Sequence, residues 1–119
     1  MSEILDEDLQ AYMDNVFLVL DNQLFPLNKL VITIGRHSSN DLIIKEPGLS
    51  RYHARVVFEA GRFILEDLDS RNGTFINNEK TNRTELHSGD NISFANTPIL
   101  FINRSTGILR QLEDDTGKL

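Results

Sequence analysis

Three places in the chain carry residue types suited to holding an anion. Arg36 closes an apolar stretch with a planar, permanently charged guanidinium, whose fork can grip two oxygens of one phosphate. Ser50 lies at a loop tip in Leu49-Ser50-Arg51, where its hydroxyl and the backbone amides around Arg51 add neutral donors. Arg71-Asn72 contributes a second cation and an amide that donates and accepts at once, as pairing with an extended backbone requires. Together they suit a phosphorylated, extended peptide. A phosphate carries about −1.5 to −2 charges at pH 7 and is held by charge-assisted bonds rather than by an apolar pocket.

Each group also has a plainer reading. Arg36 can close a surface salt bridge with Asp41 or Glu46, Ser50 can simply start the strand that follows, and Asn72-Gly73 can be an ordinary hairpin turn. His53 reads as a hydrogen-bonded structural histidine rather than a catalyst. Enzyme patterns are missing: there is no Gly-rich phosphate loop, no His-x-x-x-His pair and no G-x-S-x-G elbow, and His37, His53 and His87 are dispersed. Glu66 and Asp67, with Asp69, do not converge on one atom, because adjacent strand residues point to opposite faces; they read as a solvated loop edge. No catalytic residue, cofactor or metal site is expected, and no general base stands beside the anion groups.

The elements that must position these residues are short strands. Alternation and turn residues predict Val16–Leu20, Leu30–Ile34, Leu42–Ile44, Tyr52–Glu59, Arg62–Leu68, Thr74–Ile76, Asn91–Ala95 and Pro98–Ile102, the spacing of an all-β sandwich. Tyr52, Ala54, Val56 and Phe58 fall on one face of their strand, and His53, Arg55 and Glu59 on the other. Ala60-Gly61 and Asn72-Gly73 are read as hairpin turns, since Gly and Asn tolerate positive φ. Residues 3–13 space their apolar side chains for a short helix or form an extended acidic arm, and 1–15 is assigned as an arm. Residues 16–103 form the domain, and 104–119 read as a flexible tail or linker.

The 119 residues suffice for one domain of ordinary core size. No apolar run approaches the roughly 20 residues of a membrane helix, so no membrane insertion is expected. Net charge is −6, but residues 1–15 hold five acids and no base, and residues 16–112 balance eleven bases against ten acids. A neutral body with acidic ends disfavours nucleic acid as partner. With no cysteine, disulfides, thiolate metal sites and cysteine nucleophiles are excluded, and a reducing, cytoplasmic compartment is the natural reading.

Four linked segments go further than residue types. Gly35-Arg36 with His37–Leu42, then Leu49-Ser50-Arg51-Tyr52-His53-Ala54, Asp67–Asn77 and Leu86–Ile92 stand in an order and spacing that resembles the forkhead-associated (FHA) domain family over about residues 16–102. The resemblance implies an antiparallel sandwich of about eleven strands, with loops at one end that bind phosphothreonine in preference to phosphoserine. It implies that Arg36 and Ser50 are phosphate ligands and that Asn72 holds the ligand backbone just after the phosphothreonine. Gly35 and His53 match loop-shaping positions, Gly73 matches the turn, and Arg51 and Arg71 match positions that vary in the family.

The expectation is therefore a non-enzymatic module, monomeric or weakly dimeric. It recruits partners phosphorylated on threonine by Ser/Thr kinases. The alternative is a phosphate-independent interaction or dimerisation module of the same fold, docking on a sheet face. Thr106 and Thr116, each followed three residues later by leucine, are candidate phosphorylated segments for capture by the same or a neighbouring site.

Overall fold

In the computed structural model, which describes residues 7–105, one short helix is followed by eleven strands. These are α1 (Glu7–Met13), β1 (Val16–Leu20), β2 (Gln23–Pro26), β3 (Val31–Gly35), β4 (Leu42–Ile43), β5 (Ala54–Glu59), β6 (Arg62–Asp67), β7 (Thr74–Ile76), β8 (Glu79–Thr81), β9 (Arg83–Glu85), β10 (Asn91–Phe94) and β11 (Thr97–Asn103). They form a six-stranded sheet in the order β2-β1-β11-β10-β7-β8 and a five-stranded sheet in the order β4-β3-β5-β6-β9. Neighbours are antiparallel except for the short parallel pair β3–β4, where Ile34 faces Leu42.

Alternation builds the core. Val16 and Leu18 of β1, Ile32 and Ile34 of β3, Ala54 and Val56 of β5, Ile92 and Phe94 of β10, and Ile99 and Phe101 of β11 all point between the sheets and are buried. The two-residue turns Asp21-Asn22, Ala60-Gly61 and Asn77-Asn78 each have positive φ at both positions, the geometry that matches the twist of paired strands.

Three strands escape the alternation reading, β2, β8 and β9, and the reason is positional. Each is a sheet edge, and β8 and β9 consist of polar residues (Glu79-Lys80-Thr81 and Arg83-Thr84-Glu85) with no buried face to impose a period. Asn72-Gly73 is not a hairpin turn: β6 and β7 lie in different sheets, so the segment between them crosses the sandwich. The strand expected from Tyr52 begins instead at Ala54. The chain bends before it, which leaves Tyr52 exposed and His53 fully buried, reversing their expected faces.

The acidic arm is also corrected where it is described. Residues 7–13 are helical, and Tyr12 and Met13 are buried in the core, with the Tyr12 ring 5.6 Å from that of Phe58 and 6.1 Å from that of Phe63. Burying a methionine stabilises the fold by roughly 1.5–3 kcal/mol, enough to tie the helix down. Tyr12 also donates to the Gly61 carbonyl at 3.2 Å, so α1 sits at the β5–β6 turn, the end of the sandwich opposite His53. The Arg104 N–H donates to the Asn15 carbonyl at 2.8 Å and Ser105 is buried, so packing continues just past β11. Residues 1–6, and the segment 106–119 with Thr106 and Thr116, lie outside the described residues.

Candidate functional site

The loops after β3, β4 and β6 meet at one end of the sandwich, and backbone bonds fix the first two to each other. The N–H groups of Arg36 and His37 donate to the carbonyls of Ser50 and Arg51, both at 3.1 Å, and His53 N–H donates to Ile34 at 2.9 Å. Only glycine fits at position 35. A Cβ there would lie 2.1 Å from the Arg51 carbonyl oxygen, so the close approach of the two segments depends on its absence. The buried Asn40 amide clamps the same junction, donating to the carbonyls of His37 at 2.8 Å and Arg51 at 2.7 Å.

Arg36 extends from this junction and is steered by one bond, from Nε to the Leu49 carbonyl at 3.0 Å. It makes no ion pair with Asp41 or Glu46. Asp41 is committed elsewhere, to Lys29 Nζ at 2.6 Å and to the Thr33 N–H at 2.9 Å. Burial pushes its carboxyl up, but the Lys29 and Thr33 hydrogen bonds outweigh that, so its pKa lies below the usual aspartate value.

His53 joins the second loop to the third. Its Nδ1 accepts from the Ser50 N–H at 3.1 Å, so the ring proton is assigned to Nε2, which donates to the Gly73 carbonyl at 2.9 Å. The ring edge packs on Phe94 with centroids 5.0 Å apart. Ser50 does not merely start a strand: its Oγ accepts from the Arg71 N–H at 3.0 Å, which leaves the hydroxyl proton as an outward donor.

Asp67, expected at a solvated edge, organises the third loop. Its carboxylate accepts from the Ser70 and Thr74 hydroxyls at 2.5 and 2.7 Å and from the Ser70 N–H at 3.0 Å. Burial raises its pKa, but the hydrogen bonds from Ser70 and Thr74 bring it below the ordinary value. Gly73, at φ 88°, takes the left-handed turn that returns the chain to β7. Asn72 is exposed, and its amide donates to the Gly48 carbonyl at 2.7 Å.

These loops enclose an open cleft of about 280 Å³ lined by Arg36, Pro47, Gly48, Leu49, Ser50, Arg51 and Arg71. No acid is among the lining residues, and none of the three arginines forms an ion pair with a described residue. Asn72 borders the cleft through Gly48. Arg36, the adjacent Ser50-Arg51 and Arg71, from three separate loops, are thus brought together with Asn72 at the border, and Gly35, His53 and Gly73 shape the loops behind them. His37 stacks on exposed Tyr52, centroids 5.2 Å apart, and Ser39 Oγ lies 2.9 Å from the Tyr52 hydroxyl.

A family model for the FHA domain matches residues 32–95, from β3 to the turn after β10 and just over half the chain. The chain belongs to the FHA domain family. It is 35% identical over 78 residues to an oxoglutarate dehydrogenase inhibitor of Corynebacterium diphtheriae, an alignment covering 66% of this chain and 54% of that protein. It thus spans about half the length of the curated relatives it matches. Among solved structures, Mycobacterium tuberculosis EmbR in complex with a low-affinity phosphopeptide superposes with a TM-score of 0.72 at 26% identity, covering 74% of this chain and 24% of that one. An FHA domain analysed for phosphothreonine-dependent interactions gives 0.70 at 29% identity, covering 73% and 94%.

Sequence reasoning missed Asn40 and Asp67 as supports of this FHA cleft. For Asp67 a signal exists, a serine three residues on that is poised to bond back to it. For Asn40 none does, because its second partner, Arg51, is reached only through the fold.

Proposed function

We propose that this FHA domain binds phosphothreonine peptides and so recruits proteins phosphorylated by Ser/Thr kinases, with no reaction of its own. The observation that carries the reading is the cleft in which Arg36, Arg51 and Arg71, without an ion pair among the described residues, stand beside a serine hydroxyl whose proton is free to donate. Arg36 grips two phosphate oxygens and Ser50 donates to a third. The Arg51 N–H, without a partner among the described residues, supplies a further donor. Asn72 pairs with the peptide backbone. The complexes of EmbR with a phosphopeptide and the phosphothreonine-dependent FHA relative support the same chemistry. Calorimetric titration with a degenerate phosphothreonine library, its unphosphorylated counterpart and a phosphoserine version tests it. Binding by the first, none by the second and weaker binding by the third are expected; equal binding by the first two overturns the proposal.

A second reading rests on the outer face of the six-stranded sheet. In register, Val19 lies between Leu24 and Leu100, and Phe17 between Pro26 and Ile102, an apolar patch on which Leu24 is 62% exposed. A partner docking there, or a second copy of the chain, would bind independently of phosphate. Phosphate-independent binding that Leu24→Asp abolishes, or concentration-dependent sedimentation, is what that reading expects.

A further inference from the structure

The charge in the cleft exceeds what one phosphate neutralises. Three guanidiniums line it against a ligand group of about −1.5 to −2, leaving a surplus of roughly one positive charge. Elsewhere among the described residues, Arg55, Arg62 and Arg83 of the five-stranded sheet each have a carboxylate partner, whereas Arg104, just past β11, has none. The side chains of Arg51 and Arg71 make no hydrogen bond to a described residue, and Arg36 makes only the bond from Nε. Like charges crowded into one cleft destabilise the free protein, a cost that folds tolerate where a ligand relieves it.

We infer that the preferred ligand carries a second anionic group, a carboxylate or another phosphate, adjacent to the phosphothreonine and neutralised by Arg51 and Arg71. The inference rests on the proposed phosphothreonine binding and narrows it to one ligand class. A neutral neighbour leaves two guanidiniums competing for one phosphate already gripped by Arg36 and Ser50. An adjacent anion gives each its own acceptor, and the repulsion between them turns into attraction for the ligand.

Three peptide libraries, degenerate elsewhere, separate the possibilities: phosphothreonine flanked by alanines, flanked by glutamates, and followed by a second phosphothreonine. Fluorescence anisotropy is read on the unaltered chain and on Arg51→Ala, Arg71→Ala and the double variant. We expect the anionic libraries to bind about tenfold tighter than the alanine library. The gain shrinks in each single variant and vanishes in the double one, whereas the alanine library loses less. The glutamate and double-phosphate arms show which anion is taken. Equal affinity for all three libraries overturns the inference and leaves phosphothreonine binding standing, as does a gain that survives the double variant. Binding by no phosphorylated library overturns the functional reading and this inference with it.

Discussion

On the outer face of the five-stranded sheet, Arg55 donates to Glu66 at 2.6 Å, and Arg83 donates to Glu66 at 2.8 Å and to Glu59 at 2.6 Å. At the loop end, Arg36, Arg51 and Arg71 surround a cleft with no acid in its lining. The two regions hold their backbone by different means. Strand arginines lie over a ladder of backbone bonds and spend their charge on neighbours across it. The loop end has no ladder, and neutral bonds from His53, Asn40, Asn72 and Ser50, with the Asp67 carboxylate, fix its turns instead. Its three arginines line the cleft and form no ion pair among the described residues.

The largest effect comes from breaking that support. His53→Ala removes a fully buried ring and leaves the Ser50 N–H and Gly73 carbonyl without their partner, so stability falls by about 2–4 kcal/mol in urea unfolding. Phosphopeptide affinity falls with it, because the second and third loops separate. Unchanged stability would show that the histidine bridge does not hold the loops.

Next comes the comparison of arginines itself. Arg36→Ala weakens phosphothreonine binding by about 1.5–3 kcal/mol, or roughly 10- to 150-fold in calorimetry, with the melting temperature nearly unchanged. Arg83→Ala leaves binding unchanged. If both variants bind alike, the division between cleft and sheet fails.

How much of this was legible in the sequence depends on where each residue's partners lie. β1, β5 and β10 announce themselves because each hides mainly one face, and alternation is a local property. β8 and β9 hide neither face. The candidate residues were legible as residue types in linked segments; Arg36, Ser50, Arg51 and Arg71 line the cleft, and Asn72 stands at its border through Gly48. What held them was not legible: the closeness of Gly35 to Arg51, and of His53 to Gly73, is created by loops that meet only after the sheets pack. The same long-range geometry turned the expected hairpin at Asn72-Gly73 into a crossing between sheets.

Asn72 tests whether a loop-end residue can serve fold and ligand together. Asn72→Ala removes its bond to Gly48 and the proposed contact with the peptide backbone, and should weaken every phosphothreonine sequence by a similar factor of about 2–10. Backbone contacts carry no side-chain information, so the rank order of a peptide panel should stay the same. A changed order would mean that Asn72 reads sequence, and a lower melting temperature with intact affinity would assign it to the loop alone.

The smallest effect belongs to the paired side of the comparison, and pH reveals its sign. Hydrogen bonds from Arg83 and then Arg55 hold the Glu66 carboxyl below its ordinary value of 4.5, against a smaller opposing effect of burial. A carboxyl depressed in the folded state adds stability that is present above its unfolded pKa and is lost as pH falls through the folded one. Glu66→Gln therefore destabilises the domain at pH 7, by an amount within the range of about 0.2–1 kcal/mol typical of exposed pairs, since both arginines are half exposed. The gap between the two proteins narrows below pH 4.5 and closes once Glu66 is protonated in both states. Phosphopeptide affinity at pH 7 stays unchanged, because none of Arg55, Glu59, Glu66 and Arg83 lines the cleft. Urea unfolding of both proteins across acid pH measures the gap: one that is constant with pH would mean that Glu66 acts through packing rather than charge.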